Sequence, residues 1–273
     1  PLDEQAIRMA AHRARDEGYG AVAVAYLFSY KNPAHELRTR EILLEELGDD
    51  FTVSLSHESA KEWREYERTS SAVVEAYTGP VVRNYLLDLE SKLADRGVEV
   101  PLHIMQSSGG ILTARSARQR PLQTLLSGPV GGAIGGGKLT ESLSNKNLIG
   151  VDMGGTSFDV SLVIDGVPDV STEASLEGLP LLMSVVNIHT IGAGGGSVAW
   201  IEAGGLRVGP RSAGATPGPA CYGRGGVEPT VTDANLVLGR VEAEGFAGGQ
   251  MRLDIEAARA ALASVGEQLG LSV

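Results

Sequence analysis

The chain has 273 residues, 42% of them hydrophobic, and a formal net charge of -11. That share builds a packed core, and the acidic balance excludes the basic stripe of a nucleic-acid binder. No apolar run is long enough to span a bilayer, so no membrane association is expected. The lone Cys221 excludes an internal disulfide and points to a reducing cytoplasm.

The opening residues "PLDEQAIRMA" read as a helix with Pro at its head rather than as a signal peptide, and the chain is expected to be a segment of something longer. Ile7, Ala10, Ala11 and Ala14 share one face of a helix over 3–17, which Gly18 and Gly20 stop. "AVAVAYLFS" (21–29) predicts a buried strand. A helix then runs from Asn32-Pro33 to Gly48, and "FTVSLS" (51–56) is the next strand. Strand, helix and strand in that order predict a parallel pair.

Residues 66–97 are helical with an interruption at Gly79-Pro80, which fits two helices or one kinked helix. A weak boundary is expected near Gly97–Pro101. It separates a small α/β layer (3–97) from a subdomain (102–273) that carries the chemistry. "LHIMQSSGG" is a strand entering a glycine turn, and "SGPVGGAIGGGKLTESL" (127–143) reads as a helix despite its glycines. Each costs about 1 kcal/mol relative to Ala, so a ligand or another helix must approach closely.

"LIGVDMGGTSFDVSLVIDG" (148–166) predicts strand, turn and strand, with a hairpin at Asp165-Gly166. Residues 189–226 read as loop-rich. "PTVTDANLVLGR" enters a helix capped by Thr232 or Asp233, and an amphipathic helix ends the chain.

The candidate chemistry centres on "DMGGTSFDV". Gly154 and Gly155 expose backbone N–H groups that form an anion-binding concavity, and Thr156 adds a hydroxyl. Asp152 and Asp159 suit Mg²⁺ bound chiefly through a nucleotide's phosphates, or an attacking water. The alternative is an ordinary turn that needs two glycines. His189 is either a ligand or proton donor, or a hydrogen-bonded structural residue. Gly194, Gly195 and Gly196 form either a second N–H cradle or a crossover loop. Asp233 is either a metal ligand or a helix cap.

His57, Glu58, Arg64, Glu65 and Arg68 at a loop–helix junction fit a carboxylated substrate, a general base or an interdomain contact. The competing reading is a solvated helix start. Spacing puts Arg64 and Arg68 on one helix face. Cys221 reads as packed rather than nucleophilic, and Trp63 and Trp200 as fillers of core or interface space.

The glycine-rich helix followed by the Asp-x-Gly-Gly-Thr hairpin resembles one half of the actin-like (ribonuclease H-like) ATPase fold, an α/β architecture. The loop is one glycine shorter than in chaperone ATPases. A wider resemblance covers nearly the whole chain. "HESAKEWREYERTSSAVVEAYTGPV", "MQSSGG", "SGPVGG", "VDMGGTSFDV", "IHTIGAGGGSVAW", "VGPRSAGATPGPACYG" and "PTVTDANLVLGR" are, in that order, similar to the hydantoinase A / 5-oxoprolinase family.

The resemblance implies ATP with Mg²⁺ or Mn²⁺, and a cyclic amide such as a hydantoin or 5-oxoproline as substrate. It also implies a hydantoinase B-type partner subunit or domain and an oligomeric assembly. Ketone carboxylation and a non-enzymatic nucleotide switch are the alternatives. In the family an earlier Gly-Gly-Thr loop and a later glycine-rich segment complete the nucleotide cleft. Neither occurs in this sequence, so an incomplete, central fragment is expected.

Overall fold

The computed structural model describes residues 1–176 and 178–272. It is a mixed α/β structure in two compact units, Pro1–Asn147 with Val163–Asn187, and Leu148–Leu162 with Ile188–Val273. The division falls at these points rather than near residues 97–101, because the long helix starting at Glu65 packs within the first unit against elements up to residue 186.

In the first unit α1 (Glu4–Asp16) is capped by Asp3, whose carboxylate accepts from the Ala6 N–H. β1 (Ala21–Val24), α2 (Ala34–Leu47) and β2 (Thr52–Leu55) form the expected parallel pair with its crossover helix. The strand ends at Val24, five residues short of the sequence expectation, because the chain turns at 27–31. Ile7, Ala11, Val24, Ile42, Leu43 and Leu55 make its core.

A single turn, α3 (Ser56–Ser59), leads to α4 (Glu65–Ala94), one continuous helix with Pro80 inside it. Gly79 lets β2 approach: a Cβ there would lie 3.0 Å from Thr52 Cγ2. The β3 (His103–Met105) and β4 (Ile111–Thr113) hairpin, α5 (Ala114–Gln119) and the glycine-rich α6 (Ser127–Leu139) follow.

The chain then runs through β5 (Leu148–Met153) and β6 (Phe158–Ile164), whose last two residues pair with β7 (Val167–Pro168) across the Asp165-Gly166 turn. β8 (Val170–Leu176) and β9 (Leu179–Val186) form an antiparallel pair; Leu181 of β9 meets Val74 and Leu122 in a second small core.

In the second unit β10 (Ile188–Ile191) pairs antiparallel with β6, giving the strand order β10-β6-β5. Residues 189–226 are less irregular than their glycines suggest, since β11 (Ser197–Glu202) and β12 (Gly205–Ser212) form a hairpin there. Its alternation is broken by a bulge after Ser197, which hides it from a period-two reading. α7 (Val231–Val237) and α8 (Ile255–Leu269) enclose a core of Cys221, Leu236, Leu253 and Ala258. No described helix is long and apolar enough to cross a membrane.

Candidate functional site: an anion-receptive turn in the second unit

β5 ends at Met153 and β6 begins at Phe158, so residues 154–157 make the turn. The Gly154 N–H closes it by donating to the Ser157 carbonyl at 3.0 Å. A Cβ on Gly150 would lie 2.6 Å from Ser161 Oγ, so Gly150 faces Ser161 across the hairpin. The pairs 154/157 and 150/161 belong to one antiparallel register. That register puts Asp152 opposite Asp159, on the same face of the sheet.

Asp159 is also in register with Thr190 on its other side. Thr190 Oγ1 donates to Asp159 Oδ1 at 2.6 Å, and Ser157 Oγ to Oδ2 at 3.3 Å. Asp152 is exposed and has no such partner among the described residues. Two carboxylates facing each other at a strand mouth repel unless a cation lies between them.

The turn is braced from one side. Gly194, Gly195 and Gly196 donate their N–H groups to the carbonyls of Thr156 (3.3 Å), Gly154 (2.9 Å) and Gly155 (2.6 Å). The Gly195 carbonyl is in turn held by the Thr232 N–H and Oγ1, each at 2.8 Å. Gly194 and Gly196 are buried. Thus the cradle expected on 194–196 is corrected: its donors are spent on the turn, and these glycines are there for close approach.

Peptide planarity then fixes the other side. In each trans peptide the N–H points opposite to the C=O. The carbonyls of Gly154 and Gly155 face the brace, so the N–H groups of Gly155 and Thr156 point away from it. Both residues are exposed, and neither N–H has a hydrogen-bond partner among the described residues. A Cβ on Gly155 would meet nothing within 4 Å, and one on Gly154 only the Ser157 carbonyl oxygen at 3.9 Å. The result is an open, rigid pair of donors beside two acids.

The remaining candidates scatter. His189 is exposed and pairs in register with Val160, one residue from Thr190, so its side chain leaves the opposite face of the sheet from Asp159. Asp233 is fully buried and is not free for a metal. Its Oδ2 accepts from the N–H and hydroxyl of Thr230 and from the Ala220 N–H, and its Oδ1 from the Cys221 N–H. The helix cap is Thr230, with Asp233 as the third residue of a capping box, which corrects the expected cap at Thr232 or Asp233. Burial first, and then the Asp233 carboxylate, push the Cys221 thiol up to about 12, so it is no nucleophile at neutral pH. Trp200 is half-buried and bonded to the Gly209 carbonyl, whereas Trp63 is exposed.

The five residues of "HE…REYER" do not converge on one point. Arg68 is buried and donates to Ser56 Oγ and to the carbonyls of Glu62 and Tyr26, with its guanidinium 5.5 Å from the Tyr30 ring centroid. His57 Nδ1 lies 2.6 Å from Glu36 Oε2. Burial works to raise the Glu36 carboxyl, but hydrogen bonds from Ser56, His57 and Tyr26 outweigh it and hold it below the usual range. Glu58 pairs with Arg40; Arg64 pairs with Glu67 and Glu173; Glu65 opens α4. Arg64 precedes the helix while Arg68 is inside the packing, so they do not share an exposed face.

Among the described residues no group of three or more His, Cys, Asp or Glu side chains could hold a metal alone. Two carboxylates suit a cation that takes its other oxygens from phosphate or water. Sequence reading missed Ser157 and Thr190, which orient Asp159; a hydroxyl two residues before an acid was the only local signal for the first. It also missed Thr232 as the anchor of the brace.

The chain is 41% identical to the caprolactamase subunit alpha of Pseudomonas jessenii, over 100% of this chain and 39% of that protein. A crystal structure of the ATP-dependent caprolactamase from that organism matches with a TM-score of 0.76 at 39% identity, over 100% of this chain and 40% of that one. Nucleotide-free acetone carboxylase, from work on ATP-dependent acetone carboxylation, matches with a TM-score of 0.85 at 31% identity, over 100% and 39%. The chain therefore spans about two-fifths of the length of these relatives. The family model for the hydantoinase/oxoprolinase N-terminal region matches residues 1–47, and the hydantoinase/oxoprolinase model matches residues 68–273. The chain belongs to the hydantoinase/oxoprolinase family.

Proposed function

We propose that this chain is a phosphate-gripping part of an ATP-dependent cyclic-amide hydrolase, of the hydantoin or 5-oxoproline ring-opening type, built on an actin-like ATPase architecture. The observation that carries the reading is the 154–157 turn. Its carbonyls are tied to Gly194–Gly196, so the N–H groups of Gly155 and Thr156 are presented together to solvent. Successive N–H groups held this way bind phosphate oxygens. Asp152 and Asp159 would hold Mg²⁺ (or Mn²⁺), whose role is to neutralise charge on the transferred phosphoryl group. His189, on the other face of the sheet, ranks behind them as a proton carrier.

Phosphorylating an amide oxygen converts a poor electrophile into a carbon that water attacks. The caprolactamase match at 41% identity favours a cyclic amide as the group activated. A hydantoinase B-type subunit or domain would complete the reaction, since the matched caprolactamase chain is named as a subunit. The acetone carboxylase match favours a second reading, in which the same grip serves ketone carboxylation.

Calorimetry of the chain and of the complete subunit, with MgATP and with ATP plus chelator, tests the grip. Saturable, metal-dependent binding is expected of the complete subunit, weaker in this chain alone, and absence of binding in the complete subunit would overturn it. Turnover by the complete subunit assembly tests the reaction. ADP release that rises with hydantoin, 5-oxoproline or a lactam supports amide hydrolysis. Release that needs a ketone and bicarbonate replaces it with carboxylation, and release indifferent to both leaves only a nucleotide switch.

A further inference from the structure

A second polar site lies wholly within the first unit, in residues that the phosphate grip does not use. Two adjoining cavities of about 750 and 390 Å³ share a wall made by Glu58, Ser59, Ala60, Lys61, Glu75 and Arg120. Glu75 is the unusual member. It projects from α4, only 6% exposed, with Ser59 Oγ donating to its Oε2. Its other oxygen has no hydrogen-bond partner among the described residues, although the side chain lines both cavities.

The cations around it are of two kinds. Arg40 is neutralised by Glu58, Arg83 by Asp50 and Arg118 by Glu90. Lys61 and Arg120 are exposed and carry no ion pair among the described residues. Lys61 and Arg120 are thus the unpaired cations of the shared wall, where Glu58 is already paired with Arg40 and the exposed Glu62 lines the smaller cavity beside them. The smaller cavity is also lined by the apolar side chains of Leu122, Leu182 and Met183.

We infer that this cavity binds a small organic carboxylate, with Lys61 and Arg120 holding the carboxylate, Glu75 sharing a proton with it, and the apolar side chains covering its carbon skeleton. A guanidinium presents a planar fork that matches a carboxylate. A carboxylic acid set beside a carboxylate donates to it, whereas two carboxylates there would repel. Burial raises the Glu75 carboxyl to about 6, the neighbouring Glu58 adds to this, and Arg120 opposes it. The charged groups that line the smaller cavity with Glu75 are Glu58 from α3, Lys61 and Glu62 from the following loop and Arg120 from the segment after α5; β9 contributes none to the wall. Bringing in an anion raises the Glu75 carboxyl further, so binding takes up a proton and tightens as pH falls, by at most about tenfold per pH unit.

The test is a titration of the full chain with lactate, which is ionised throughout, by ligand-observed NMR at pH 5.5 and 7.5. Saturable binding is expected, tighter at pH 5.5. Lys61→Ala and Arg120→Ala, both at exposed positions, each weaken it about tenfold or more. Glu75→Gln retains binding and abolishes its pH dependence, a result that loss of folding would not produce. Absence of saturable binding in the wild-type chain overturns the inference, as does binding that survives both cation variants. Inorganic phosphate, a monoanion at pH 5.5, binding as tightly as lactate overturns the assignment to an organic carboxylate. No nucleotide is present in this experiment, so its failure leaves the phosphate reading of the second unit untouched.

Discussion

Gly194 donates its N–H to the Thr156 carbonyl and leaves no room for a side chain. A Cβ there would lie 2.5 Å from the Thr156 carbonyl carbon and 2.6 Å from the amide nitrogens of Thr156 and Ser157. These are backbone atoms in the turn itself, so relief requires the turn to move. Gly194→Ala is expected to displace residues 154–157 and to lower both the melting temperature and MgATP affinity. Wild-type thermal stability in this variant would show that the brace is dispensable.

Gly155 offers the complementary experiment. A Cβ on it meets nothing of the protein within 4 Å, and its φ is not positive. Gly155→Ala should therefore leave stability within about 0.5 kcal/mol of wild type. If phosphate lies against that N–H, the added methyl weakens MgATP binding by about tenfold or more. Unchanged affinity, measured by calorimetry, would remove the turn from the nucleotide site.

Legibility in the sequence followed the range of the interactions. The β1-α2-β2 unit, the 148–166 strand–turn–strand and the final helix were readable because hydrophobic period and turn residues lie within a few positions of each other. Residues 154–156 were readable as a turn for the same reason. The role of Gly194–Gly196 was not, because a glycine that exposes an N–H and one that admits a neighbouring backbone look alike in one dimension. His57 and Arg68 looked like a charged helix start. Their burial depends on Glu36 and Tyr26, which are distant in sequence. Glu75 gave no signal at all, since its setting is made by Ser59 and Arg120.

Facing carboxylates make a directional prediction. With Asp152 opposite Asp159, removing one charge relieves repulsion in the ligand-free chain. Asp159→Asn should keep the hydrogen bond from Thr190 and raise the melting temperature by about 1–2 °C, as expected for a gain of up to roughly 1 kcal/mol. At the same time the Mg²⁺ dependence of nucleotide binding should fall. A stability loss without any change in metal dependence would assign Asp159 to the fold alone.

Asp233 should behave in the opposite way. Its carboxylate accepts from Ala220, Cys221 and Thr230, all of them buried. Asp233→Ala strands these donors and loses a capping box, so a destabilisation of about 3 kcal/mol or more is expected in urea unfolding. Nucleotide affinity, measured below the transition on the folded fraction, should be retained. Loss of metal binding with intact stability would restore Asp233 as a ligand.

Glu75 sets a pH dependence of stability whose sign differs from that of the usual carboxylate. Its folded value is raised to about 6 by burial, from 4.5. Below about 4.5 it is protonated in both the folded and unfolded chains and costs nothing. Between 4.5 and 6 the unfolded chain ionises first, so this group's contribution falls as pH rises. Above 6 the folded chain carries the full penalty, about 2 kcal/mol for a shift of this size. Glu75→Gln should therefore match wild type in urea unfolding near pH 4 and exceed it at pH 7. The difference should appear between pH 4.5 and 6 and then level off. A constant difference across that range would mean that Glu75 does not titrate there, and that its burial is offset by contacts other than Ser59 and Arg120.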